Sequence, residues 1–181
     1  MIATTPSLEQ QLPVVIQTLE KETLLDYFRH TWAIYDWLFS SIKEAETYYV
    51  SPDPLRNPLI FYWGHTAAFY INKLVAAGLL EQGIDAHYEE LFAKGVDPSL
   101  PEHLAVHDLW PAVAAVNNYR TMVKQTVEAC IAAQTYPVAV TPTHPLWALL
   151  MGIEHDRIHF ETSSVLLRQR PAEALQLPIG W

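Results

Sequence analysis

Apolar side chains recur every three or four residues through four long stretches of this chain, with proline or glycine punctuating the segments between them. That period is helical; a half-buried strand would alternate every second residue, and no alternating run stands out. The first stretch covers residues 7–42 with a break near Pro13, and is strongest from Leu24-Leu25-Asp26-Tyr27-Phe28 through Trp37-Leu38-Phe39. Ser51-Pro52-Asp53-Pro54 reads as a loop. The second stretch covers residues 58–80 and stops around Gly78 and Gly83. A connection follows with one short helix expected at residues 88–93, where Gly95, Pro98 and Pro101 rule out continuous helix. The third stretch begins near Pro111, where the missing N–H costs least, and continues to Gln134. After a loop at residues 137–142, Thr143 is the expected N-cap of a fourth helix with Pro145 in its first turn. That helix runs to Arg168, a cation suited to a C-terminus, and Pro171 ends it. The expectation is an all-α fold, a four-helix bundle with a long middle connection, forming one domain over residues 1–181.

Half of the residues are hydrophobic and only 17% are charged, which suits a packed core and excludes a disordered chain. The net charge of −9 comes without any cluster of Lys and Arg, so nucleic-acid binding is excluded. Cys130 is the only cysteine, which rules out an internal disulfide and a cysteine-based zinc knuckle. It falls in the apolar stretch Val127-Glu128-Ala129-Cys130-Ile131 and reads as a buried, inert thiol. No basic-then-apolar leader opens the chain and no apolar run approaches bilayer length, so a soluble cytoplasmic protein with no membrane contact is expected.

The chemistry resides in histidines. His155 and His159, in Glu154-His155-Asp156-Arg157-Ile158-His159-Phe160-Glu161, are four apart on the fourth helix. Such residues are about 40° apart around the axis and about 6 Å apart along it, so two imidazoles can meet one ion. Ala148, Met151, Thr162 and Leu166 are expected on the same stripe, turned toward the core, with Glu154 and Glu161 pointing away. His65, in Gly64-His65-Thr66 on the second helix, shares a face with Phe61, Phe69, Asn72 and Ala76 and is also expected inside. Buried imidazoles need partners, and a divalent cation would satisfy all three. Spacing alone leaves a second reading open, in which the histidines are unrelated. Of the others, His30 shares a face with Ile34 and Trp37 and could approach the site. His87, His103 and His107 are expected on the surface and His144 at a helix start. Tyr35, Tyr62 and Tyr70 read as core aromatics.

Three stretches together carry a family resemblance. They are Thr31-Trp32-Ala33-Ile34-Tyr35-Asp36-Trp37-Leu38-Phe39-Ser40, Pro58-Leu59-Ile60-Phe61-Tyr62-Trp63-Gly64-His65-Thr66-Ala67-Ala68-Phe69-Tyr70, and Trp147-Ala148-Leu149-Leu150-Met151-Gly152-Ile153-Glu154-His155 through Glu161-Thr162-Ser163-Ser164. With these the chain resembles the DinB-like four-helix bundles, and within them the N-terminal domain of the iron-dependent sulfoxide synthases of ovothiol and ergothioneine biosynthesis. Phe92-Ala93-Lys94-Gly95-Val96-Asp97 echoes the ovothiol type, whereas Pro98-Ser99-Leu100-Pro101-Glu102-His103 departs from that family's acidic, tryptophan-containing segment. The resemblance implies His65, His155 and His159 as metal ligands, with Fe(II) as the first candidate and Zn(II) or Ni(II) as alternatives. It also implies a small thiol substrate. The chain ends at Trp181, so the formylglycine-generating-enzyme-like domain of those enzymes would have to come from another chain. Stand-alone relatives of the superfamily, which include thiol S-transferases and isomerases and often form homodimers, supply a second expectation. A non-catalytic metal-binding bundle is the third.

Overall fold

The computed structural model describes residues 16–93 and 110–178. Among them are four long helices and a short one, α1 (Lys21–Phe39), α2 (Leu59–Ala76), α3 (Ala86–Leu91), α4 (Val113–Ala132) and α5 (Leu146–Arg168), and no strand beyond two isolated bridges. The fold is the all-α bundle that the periodicity predicts. Helix α2 is its centre and packs on both α5 and α4, while α1 closes against α5 and more thinly against α4. Burial on every side of α2 explains why its first ten residues are almost continuously apolar, with Leu59 through Ala68 all buried. No helix among the described residues is long and apolar enough to cross a membrane.

The ends of the helices depart from expectation in ways that local hydrogen bonding accounts for. Residues 7–15 of the first stretch lie outside the described residues. Ile16–Thr18 is a 3-10 turn, and Leu19 pairs with Val138 in a bridge before α1 begins. Helix α2 ends where Gly78 takes φ +72°, a left-handed conformation that glycine adopts freely, and Leu79 N–H closes back on the Leu74 carbonyl. Helix α3 starts two residues earlier than expected because the Asp85 carboxylate accepts from Tyr88 N–H and caps it. Helix α5 begins at Leu146 and not beside Thr143. The Thr143 hydroxyl is engaged with Thr141, and the free amide of Leu146 donates to His144 Nδ1 at 3.2 Å.

The buried face of α5 also lies elsewhere than the apolar stripe suggests. Met151 is 41% exposed and Thr162 faces solvent, whereas Gly152, Ile153, Asp156, His159, Ser163 and Leu167 are buried. At about 100° per residue, that face centres on Asp156 and puts His155 at its edge. Two of the central residues are polar and one is glycine, so hydrophobic pattern alone misplaces the face. Gly152 is there because the ring of Tyr70 occupies the space a Cβ would need.

Candidate metal centre

Helices α2 and α5 cross so that His65, His155 and His159 converge. Their ligand nitrogens all lie within 4.8 Å of one another, and they form the only such group of metal-ligating side chains among the described residues. His65 and His159 are buried, and His155 is half-buried. His65 Nδ1 donates to the Phe92 carbonyl at 2.6 Å, which fixes the tautomer and leaves the Nε2 lone pair free. That nitrogen is 3.2 Å from His155 Nε2. Two nitrogens bound to one ion at about 2.1 Å sit about 3.0 Å apart at a right angle and about 3.4 Å apart at a tetrahedral one. The spacing of His65 and His155 therefore already suits a shared cation, with the His159 ligand nitrogen within 4.8 Å of both.

The electrostatics point the same way. Burial holds the His159 pKa down to about 4, with repulsion from His65 adding to it. His155 is lowered further by burial and then by His159, His65 and Lys73. Burial also lowers His65, against the opposing pull of the Phe92 carbonyl. All three imidazoles are thus neutral at pH 7, the form that binds metal. The Nδ1 atoms of His155 and His159 are buried without a hydrogen-bond partner among the described residues. A ring of neutral imidazoles with no carboxylate among them fits a cation.

Two supports hold this geometry. Phe92 packs its ring where a side chain at position 64 would otherwise stand, so Gly64 permits the approach that brings the Phe92 carbonyl to His65. Helix α3 is tied in turn by Glu89, whose carboxylate accepts from Ile84 and Asp85 N–H, and by Asn72, which donates to the Glu89 carbonyl. On the other flank of α2, Arg120 is 3% exposed and runs inward from α4. Its guanidinium lies 3.6 Å above the Trp63 ring and donates to the Trp63 carbonyl, Thr66 Oγ1 and the Asp36 carboxylate. Asp156, 1% exposed, has its pKa raised to about 7 by burial, partly offset by Arg120 and by the hydroxyls of Tyr70 and Thr66.

Of the remaining histidines, His30 is half-buried and outside the cluster, His87 is exposed and His144 serves the start of α5. His103 and His107 lie outside the described residues. Glu161 is exposed, and Tyr35, Tyr62 and Tyr70 are core residues. The sequence reading missed the Phe92 carbonyl, which leaves no side-chain signature, and the two buried polar residues Arg120 and Asp156. A signal for Arg120 existed: it shares the three- and four-residue spacing of Val116, Val123 and Val127, all buried.

A model of the DinB superfamily matches residues 27–163. The chain is also similar to a protein of Schizosaccharomyces pombe named Ergothioneine biosynthesis protein 1, with 28% identity over 138 residues, or 70% of this chain. The chain spans 17% of that relative's length.

Proposed function

Since this chain belongs to the DinB superfamily, we propose that it is a metal-binding domain of the lineage that couples a thiol to histidine, with His65, His155 and His159 as ligands and Fe(II) as the ion. The observation that carries this reading is the convergence of three neutral imidazoles from two helices, with one tautomer fixed by the Phe92 carbonyl. The similarity to the fission-yeast protein supports the choice of lineage. When bound, Fe(II) supplies O2 activation and a template for a thiol beside an imidazole.

The chain's own residues do the positioning. His65 is oriented by the Phe92 carbonyl, His159 is held in the buried face of α5, and His155 stands at the rim with its ring stacked on Phe69 at 3.7 Å. In this reading the other half of the substrate site belongs to a formylglycine-generating-enzyme-like domain on a partner chain. A second reading, a stand-alone thiol S-transferase or isomerase, draws on one specific observation: a pocket of about 550 Å³ within this chain, walled in part by His155.

Metal content tests the proposal. Protein purified anaerobically without chelator or nickel resin should carry about one iron per chain, and His155→Ala should lose it while keeping its helical circular dichroism. One zinc per chain would move the reading to the stand-alone transferase. No metal in either protein, and no thermal shift on adding Fe(II) or Zn(II), would overturn the metal centre.

A further inference from the structure

We infer that the pocket beside His155 receives the non-coordinating body of the substrate, and that this substrate is an apolar thiol, neutral or cationic, of the benzyl or branched-alkyl class. The pocket is independent of the metal; the assignment of a thiol rests on the function proposed above.

The pocket's size, about 550 Å³, is that of a small-molecule site. Its walls are the side chains of Phe69, Trp147, Met151 and Ile158 with a few further apolar residues, and His155 lies in the wall. His155 and Phe69 stack nearly parallel, with 7° between their planes, so one ring separates the pocket from the nitrogens that face His65. Met151, His155 and Ile158 occupy positions i, i+4 and i+7 of α5, which lie side by side on a helix surface. Met151 is 41% and Ile158 60% exposed. Scattered apolar residues on a surface need no explanation, but these are contiguous, flank a metal-ligating type of side chain and line a concavity.

The lining also sets a charge preference. Its single formal charge among the described residues is the Glu154 carboxylate, which accepts from the Tyr27 hydroxyl. Among the described residues no cationic side chain lines the pocket; Lys73 stands 5.2 Å from the Phe69 ring centroid but is not part of the wall. A ligand bearing carboxylates would find no counter-charge there and would meet Glu154. An aryl or branched-alkyl group would replace water against Phe69, Trp147, Met151 and Ile158, which is favourable in proportion to the apolar area covered. The preference is therefore for benzyl mercaptan over glutathione.

Two titrations test this on the full chain. In the first, Co(II)-loaded protein is titrated with benzyl mercaptan and with glutathione, following the thiolate-to-cobalt absorption. Benzyl mercaptan should bind at least tenfold more tightly, and Ile158→Glu or Met151→Glu should abolish that margin with circular dichroism and melting temperature unchanged. Equal affinities, tighter glutathione binding, or a margin that survives both substitutions would overturn the inference. The second titration uses metal-free protein and benzyl alcohol by calorimetry. Binding that is lost in Ile158→Glu supports the pocket even if cobalt fails to load, a result that would count against the metal centre alone. Absence of benzyl alcohol binding overturns the pocket itself.

Discussion

Replacing Gly64 by alanine sets two opposing contributions against each other, and the structure decides the sign. A methyl group in a helix interior normally gains about 1 kcal/mol over glycine, because less backbone freedom is lost on folding. At position 64, however, the new Cβ would fall well inside 3.0 Å of three ring carbons of Phe92. That ring is fully buried and packed with Phe61, Tyr88 and Trp110, so it has no flexible end to swing aside. Overpacking of this kind costs about 1–3 kcal/mol, and a fully buried ring puts the site in the upper half of that range. The net expectation is a loss of about 1–2 kcal/mol by urea denaturation of metal-free protein. A second effect separates this from ordinary core damage. Moving Phe92 moves the carbonyl that orients His65, and loss of such an orienting partner weakens metal binding by about 10–100-fold. Competition of Zn(II) binding against a chromophoric chelator measures it. A Gly64→Ala protein that gains stability and holds zinc as tightly as wild type would refute both the packing argument and the role given to Phe92.

Gly78→Ala is the control: no described residue lies within 4 Å of the new Cβ, but φ is +72°, so about 1 kcal/mol should be lost in urea with zinc affinity unchanged. Arg120→Ala removes a guanidinium held by three hydrogen-bond acceptors and stacked on Trp63, and should cost about 2–3 kcal/mol by the same assay, since the Asp36 carboxylate it leaves is partly solvated. For metal-free protein, the lowered pKa values of His65, His155 and His159 mean that between about pH 4 and the ordinary 6.5 the unfolded chain holds protons the native state lacks, so stability falls as the pH drops through that window. Asp156, raised from 3.8 to about 7, works in the opposite sense, since its native proton is absent from the unfolded chain over the same window. Asp156→Asn should therefore steepen the dependence by about 1.4 kcal/mol per pH unit between pH 5 and 6.5; an unchanged slope would mean that the carboxyl is ionised in the native state.

The bundle was legible because its helices are long and their periodicity is unbroken; glycine and proline marked the connections because those residues constrain the backbone directly. Helix ends were less legible, since the caps at Asp85 and His144 depend on which side chain happens to reach a free amide. The three histidines could be named from the spacing on the fourth helix, the inward face of the second and the family resemblance together, but the environment of each could not. The Phe92 carbonyl belongs to the backbone of another helix end, and Arg120 reaches the core only because Trp63, Thr66 and Asp36 receive it. On α5 the apolar spacing puts the histidines in the middle of the buried stripe. Glycine, aspartate and serine carry that middle instead, because the neighbouring Tyr70 fills the space above Gly152 and Tyr35 binds the Ser163 hydroxyl.

That displacement has a chemical consequence. Had His155 been at the centre of the packed face, both imidazoles of the pair would have been sealed against α2, leaving no free side for a ligand to reach them. With the centre at Asp156, His159 is 6% exposed and held by packing, while His155 stands about 100° from the centre of the face, against the apolar pocket. One histidine is thereby anchored in the core and the other is placed at the boundary between core and cavity. A sequence with two strongly apolar residues at positions 152 and 156 in place of glycine and aspartate would fit the simple pattern better. It would also drive Tyr70 out of its place above Gly152 and rotate the face that presents His155 to the cavity.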